Sequence, residues 1–478
     1  MDEVAPAQVK VVFTTTEADL VLPEAKRQLL VPADIKRYGL SRILNSESML
    51  DTSSPIPLDF LANGTFLTTS VEDYLASNGL SSESTLTLQY VRSLLPPVYE
   101  SSFEHDDWVG AVDVLSATSP AGRLGGDQGP PSSIIDRVAS ASYDGLVRIW
   151  NSSGEAIATT PAGHGGGHSM RLNAVKWLSA KQLASAGLDR KVLVWDYTEG
   201  GEDGSSGSLK PNMELWGHEK AVNTIEASLS TRRLLTASSD GRIGLWSSSK
   251  RTAPQADPES LPSAHTNKKA KTAVSASAQR GPLAMIDAHD EPVTAALFHP
   301  HDSTVAYTAS QDHTVKTIDL TTQRQVSRLT TMHPLLCAAA LPARNLVAAG
   351  SSARHITLLD PRESAASTAA MTLRGHVNMV VSLAASPEND YSLVSGSHDS
   401  TCRVWDLRSV RPGTTEEGGG SVSSPVYTIG REWLKNKKLP PAGDGAKVLS
   451  VVWDKTWGIV SGGEDKKVQI NRGRGLLA

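Results

Sequence analysis

Apolar and polar residues alternate in "QVKVVFT" (8–14), the period of a strand that buries one face. "DLVL" (19–22) follows as its predicted partner strand. In "PADIKRYGLSRILNSE" (32–47) the period lengthens to that of a helix: Ile35, Ile43 and Leu44 share a face, and Gly39 is a weak point. "IPLDFLANGTFL" (56–67) reads as strand, Asn63-Gly64 hairpin turn, strand. "SVEDYLASNGL" (70–80) reads as a short helix, with Ser70 and Asp73 as a capping box and Gly79 as its stop. "STLTLQYV" (84–91) closes the segment as a strand, so residues 8–91 are expected to form a small α+β domain.

Beyond residue 96 one pattern recurs: a strand of small residues, a tight turn, then an alternating strand. It ends as "SASYDGLVRIW" at Trp150, "ASAGLDRKVLVWD" at Asp196, "TASSDGRIGLW" at Trp246 and "TASQDHTVKTID" at Asp319. "AGSSARHITLLD", "SGSHDSTCRVWD" and "SGGEDKKVQIN" complete seven units. The turns carry Asp144, Asp189, Asp240, Asp312, Asp399 and Asp465, while the fifth has Ala353. Six residues later stand Trp150, Trp195, Trp246 and Trp405, replaced elsewhere by Ile318, Leu359 and Asn471. Upstream of the turns lie His168, His218, His289, His333 and His376.

These units resemble the WD-repeat family, from about Pro97 onward. The resemblance implies an all-β, seven-bladed propeller over 97–471. It also implies a structural role for the aspartates and histidines: the turn Asp accepts from turn N–H groups and from the histidine, which also engages a Ser or Thr and the Trp. The fifth unit, without its Asp, is expected to be incomplete or differently satisfied. Only "NRGRGLLA" follows the last motif, so the outer strand of the seventh blade is expected from residues 97–107 in "PPVYESSFEHDDW". Gly-, Ser- and Pro-rich insertions at "TEGGEDGSSGS", 247–282 and "RPGTTEEGGGSVSSP" are expected to be mobile.

A net charge of −5 argues against general polyanion binding but leaves a local basic patch open. Two cysteines, Cys337 and Cys402, make neither a disulfide framework nor a zinc site and point to a reducing compartment. The chain shows no secretory leader, no apolar run of membrane-spanning length, no Walker loop, no G-x-S-x-G elbow and no Cys/His nucleophile pairing. Neither an enzyme nor a bound cofactor is therefore expected. "NKKAKT" (267–272), with Lys268, Lys269 and Lys271, reads either as a nuclear localisation signal or phosphate contact or, equally, as a plain solvated loop.

The strand and helix order of residues 8–91 is that of a ubiquitin-like domain, which here runs into "RSLLPP" rather than a Gly-Gly tail. Joined to a WD-repeat propeller, it resembles the Notchless-like ribosome-assembly proteins. "IKRYGLS", "DFL", "GLSSE", "DWV" and "GSSARHITL" fit the Ytm type. That resemblance implies a noncatalytic scaffold of the nucleolar 60S precursor, needed to process 27S RNA to the 25S and 5.8S species. It implies a heterotrimer with Erb (block of proliferation) and Nop (pescadillo) proteins, and residence in nucleus, nucleolus and nucleoplasm. It further implies removal by the AAA ATPase Midasin, whose adhesion-site Mg²⁺ would take Glu83 as a ligand; this chain holds no metal of its own. A ubiquitin-pathway adaptor, recruiting substrates through the propeller, is the alternative. Direct RNA contact is left open.

Overall fold

The computed structural model describes residues 7–52, 54–81, 83–123, 135–201, 204–261, 277–363, 369–435, 443 and 445–473. The chain divides into two units, Met1–Pro96 with Leu407–Ser423, and Pro97–Asp406 with Ser424–Ala478.

The first unit is built on β1 (Gln8–Thr14), β2 (Gln28–Pro32), α1 (Arg37–Leu44), β3 (Leu58–Ala62), β4 (Thr65–Phe66), α2 (Val71–Ser77) and β5 (Leu86–Arg92). The sheet order is β2-β1-β5-β3-β4, with β1 and β5 parallel at its centre. Val9, Val11 and Phe13 of β1 and Leu88 and Tyr90 of β5 pack against Leu40, Leu44 and Leu75 of the helices. Fully burying each such side chain contributes about 1.5–3 kcal/mol. Asn63 and Gly64 both have positive φ, 49° and 79°, as a two-residue hairpin turn requires. Ser70 caps α2, its Oγ accepting from the Asp73 N–H at 3.1 Å.

Four sequence expectations change here. The partner strand of β1 is Gln28–Pro32, not 19–22. Leu20 and Leu22 turn into the core instead, and Tyr90 donates its hydroxyl hydrogen to the Leu20 carbonyl. The first helix begins only at Arg37, because the carbonyls of Ala33 and Ile35 accept from the N–H groups of Glu72 and Val71, which holds that stretch out of helix. Gly39 is less a weak point than a packing site, since a Cβ there would stand 2.7 Å from Ile35 Cγ1. Finally, "RPGTTEEGGGSVSSP" is no loose loop. Arg411–Pro412 pairs with Ser421–Ser423, Arg411 grips both carboxylate oxygens of Glu417 at 2.7 Å, and Leu407–Ser423 divides with the first unit.

The second unit is a ring of seven antiparallel blades. Their inner strands are Val109–Leu115, Leu172–Ser179, Val222–Ser228, Val293–Phe298, Leu335–Leu341, Val380–Ala385 and Val448–Asp454. The next strand of each blade is sandwiched between neighbours, which explains its small residues: a Cβ on Gly462 would meet Val109 Cγ1 at 2.7 Å. Around a central channel of about 1260 Å³, a side chain on each inner strand bonds the backbone of the next blade. Asp113 accepts from Trp177 N, Asn173 donates to Val222 O, Asn223 to Val293 O, and Thr294 to Leu335 O. Cys337 Sγ reaches Val380 O, Ser382 accepts from Val451 N, and Ser450 from Val112 N. The strand β6 (Pro97–Glu104) lies outermost in the last blade, antiparallel to Lys467–Gly473, with Phe103 opposite Val468. Phe103 also stacks on Trp150 of the first blade, 5.4 Å between centroids.

In two insertions the described residues include paired strands that their composition does not suggest. "TEGGEDGSSGS" extends a hairpin, Val192–Gly200 against Ser206–Leu215, tied by Thr198 to Ser208 at 2.8 Å. Within 247–282, Ala278–Arg280 pairs parallel to Ser206–Leu215, and buried Ser277 donates to Glu214. Backbone pairing outweighs the turn preferences of glycine and serine at these sites. Among the described residues no helix is long and apolar enough to cross a membrane.

Candidate functional site

Glu83 stands between α2 and β5. Gly79, at φ 64°, ends α2 in the left-handed conformation, and Leu80 N–H returns to the Leu75 carbonyl at 2.9 Å. Ser81 then holds the following turn. Its Oγ accepts from Glu83 N–H at 3.2 Å, and its carbonyl accepts from the Ser84 hydroxyl at 2.5 Å. The backbone under Glu83 is thus braced while its side chain is exposed. Among the described residues nothing donates to its carboxylate, so both oxygens are available to a cation brought from outside.

In the second unit, four blades share one hydrogen-bonded chain. Trp195 donates to Ser185 (2.7 Å), Ser185 meets His168 Nε2 (2.8 Å), and His168 Nδ1 meets Asp189 (2.8 Å). Trp246, Thr236, His218 and Asp240 repeat it, as do Trp405, Ser395, His376 and Asp399. Blade four keeps Thr308, His289 and Asp312, with Ile318 in the Trp position. In the three blades that carry it the Trp N–H donates to the hydroxyl, and in all four the carboxylate lies on the Nδ1 side of the ring. Burial lowers the pKa of His289 and of His376, in keeping with a neutral ring. Burial alone would raise the Asp240 and Asp399 carboxyls, but bonds from the histidines and nearby N–H groups outweigh it and hold each at about 2. The Ser-His-Asp order resembles a nucleophilic triad, yet Ser185, Thr236 and Ser395 are 0% exposed, sealed from any substrate by the indole above them.

Three blades depart from this arrangement. In blade one Asp144 bonds no histidine: Arg148 takes it at 2.7 Å. The histidine there is His105, on Ser140 at 2.7 Å, and among the described residues its Nδ1 has no partner. In blade seven Asp465 is held by Arg431, which also donates to Ser461 at 2.8 Å. In blade five Ala349, Ala353 and Leu359 take the hydroxyl, acid and indole positions; His333 stacks edge-on to His355, whose Nδ1 meets the Ala353 carbonyl. The sequence expectation of a Ser or Thr in the network named no position for it, and His105 and Arg431 were passed over. The hydroxyls carried a signal, since Ser or Thr stands four residues before each turn Asp. Lys268, Lys269 and Lys271 lie outside the described residues. No cluster of three or more His, Cys, Asp or Glu able to hold a metal occurs among the described residues.

Comparison with known proteins gives the same two parts. The family model for the NLE (NUC135) domain matches residues 9–75. That for the WD domain, G-beta repeat, matches 98–151, 159–196, 209–247, 280–319 and 367–406, leaving out blades five and seven, two of those that depart from the shared network. Curated relatives called "Ribosome biogenesis protein YTM1" cover the full length. That of Chaetomium thermophilum is 63% identical over 489 residues, spanning 100% of this chain and 98% of the relative. That of Neurospora crassa is 63% identical over 482 residues, spanning 99% and 98%. That of Aspergillus fumigatus is 48% identical over 481, spanning 99% and 97%. Among solved structures, the WD40 β-propeller domain of Doa1 matches with a TM-score of 0.53 at 18% identity, over 80% of this chain and 98% of that one, a likeness of fold alone.

Proposed function

Because the chain belongs to the YTM1 family of ribosome biogenesis proteins, we propose that it is a noncatalytic assembly factor of the large ribosomal subunit precursor, required for rRNA processing. The observation that carries this is identity of about three residues in five along the whole length of relatives so named. The propeller docks Erb- and Nop-type partners in the nucleolus, and the ubiquitin-like domain is the handle by which a Midasin-type ATPase removes the protein. Glu83 is the contact point of that handle. Its carboxylate is exposed, on a turn that Ser81 braces, and a hard cation such as Mg²⁺ favours oxygen ligands in an octahedral array. The metal belongs to the partner, and this chain lends one ligand. Affinity purification of the full chain from nuclear extract tests the reading. Recovery of 60S precursors with the Erb- and Nop-type proteins is expected, and recovery of proteasomes in their place would refute it.

A further inference from the structure

"STRR" (230–233) and "SSSKRT" (247–252) become neighbours in blade three. Arg233 pairs with Ser247 across the second and third strands, and Ser248 donates both its N–H and its hydroxyl hydrogen to the Arg232 carbonyl at 2.9 Å. The second stretch is folded tightly. Ser249 N–H bonds Ser247 Oγ at 3.1 Å, the hydroxyls of Ser247 and Thr252 meet at 2.6 Å, and buried Ala253 anchors the exit. Lys250 and Arg251 are thereby exposed at a fixed tip beside Arg232. In the matching turn of blade two Lys181 is exposed, next to Ala180, which packs on the same apolar cluster as Leu229 of blade three.

Some cations of this unit have carboxylate partners: Lys176 has Glu226, Arg137 has Glu199, and Arg242 has Glu219 and Asp287. Lys181, Arg232, Arg233, Lys250 and Arg251 have none among the described residues. Asp196, on the strand beside Lys181, is occupied by the side-chain amides of Gln182 and Asn212 at 2.8 Å. Exposed hydroxyls, Ser230 and Thr231, lie between the cations, and none of the large exposed apolar side chains falls in these turns. Protein interfaces depend on buried aromatic and aliphatic anchors, whereas phosphate contacts use cations, hydroxyls and backbone N–H groups.

We propose that this rim of blades two and three is an RNA-binding surface that contacts the phosphate backbone without reading sequence. It deepens the ribosome-assembly reading, naming RNA as what this face of the propeller meets.

The test is fluorescence anisotropy of the full chain with a labelled uridine 20-mer across a salt series. Five phosphate contacts give a slope of log K against log salt of about −3.5. Removing Arg232, Arg233, Lys250 and Arg251 together, each to Ala, should flatten the slope by about 2.8 and weaken binding on the order of 100-fold at low salt. Replacing Lys10, Lys36, Arg42 and Lys455, exposed cations elsewhere, should leave binding within about twofold. Should the quadruple variant misfold, Lys250→Gln with Arg251→Gln, confined to the exposed turn, should flatten the slope by about 1.4. Three results overturn the proposal: no binding by the wild-type chain, equal binding by the patch and control variants, or equal capture of polyglutamate, which would mark an acidic protein surface. Co-sedimentation with pre-ribosomal particles is scored separately. Wild-type protein that sediments with them yet has no RNA affinity defeats this surface and leaves the assembly role standing. Absence from the particles defeats the role instead.

Discussion

Arg431 grips Asp465 through two charge-assisted hydrogen bonds, Nε to Oδ2 at 2.7 Å and Nη2 to Oδ1 at 2.6 Å, in the position that a histidine fills in four other blades. Its Nη1 reaches Ser461 Oγ at 2.8 Å, so one guanidinium makes the bonds that histidine makes to acid and hydroxyl. Arg431 is buried, and the Asp465 side chain is only 9% exposed. Arg431→Ala leaves a desolvated carboxylate unpaired and should cost about 3–5 kcal/mol. Arg431→Lys should recover little of it, since an ammonium cannot fork across two oxygens. Urea denaturation of both variants, with Asp465→Ala to close a double-mutant cycle, measures the coupling.

Phe103 ties the closing strand to both ends of the ring, opposite Val468 and stacked on Trp150. Phe103→Ala should lower stability by about 3–5 kcal/mol. Deleting residues 96–107 should expose the edge of Lys467–Gly473 and cause aggregation or loss of cooperative melting. An unchanged melting transition in the deletion would show that the ring does not depend on this strand.

Acid should act on the histidines before the aspartates. Burial, aided by the nearby Arg148 charge, pushes His105 down to about 4, against an ordinary value near 6.5. Between those pH values the unfolded chain holds the extra proton, so stability falls as pH drops from about 6.5 to 4, by about 3 kcal/mol. His289 and His376 shift in the same direction. Asp240 and Asp399, each held at about 2, contribute stability that is present above about pH 4 and lost as pH falls toward 2. Urea midpoints at pH 7.5, 5 and 4 should show the first decline, and His105→Gln should shrink it.

Glu83→Ala should leave the fold within about 0.5 kcal/mol of wild type, because the side chain is exposed. It should abolish Mg²⁺-dependent binding to a Midasin adhesion domain, and Glu83→Asp should weaken it, being one methylene shorter at a metal that tolerates little geometric error. Titration of the full chain with and without chelator decides it. Equal affinity of wild type and Glu83→Ala would sink the handle mechanism.

Replacing Lys268, Lys269 and Lys271 by alanine should reduce nuclear import if "NKKAKT" is the signal. Microscopy of the tagged variant checks it, with undiminished nuclear accumulation assigning import to another segment or to a partner.

Much was readable along the chain because the determinants are local. A hairpin at Asn63-Gly64 needs only two residues that accept positive φ, a cap at Ser70 needs only Asp73 N–H three residues on, and the blade pattern repeats in one register whatever lies around it. The misreadings arose where a distant group set the outcome. Leu20 and Leu22 looked like half a strand, but the core that β5 and the helices create drew both side chains inward. "TEGGEDGSSGS" has the composition of a loop, but residues 198–200 pair with 206–208 across the hairpin.

By itself the amino-acid order determined a ubiquitin-like domain followed by seven propeller blades, because side-chain periodicity and turn chemistry act over a few residues. Only the tertiary structure decided who partners whom. Arg431 lies 34 residues before Asp465 and takes the place that a histidine fills in other blades. Arg232 and Lys250 lie in separate turns until Ser248 closes on the Arg232 carbonyl. Hydrogen bonds and charge interactions fall off with distance in space, not along the chain, so these sites came into being only with the closed ring.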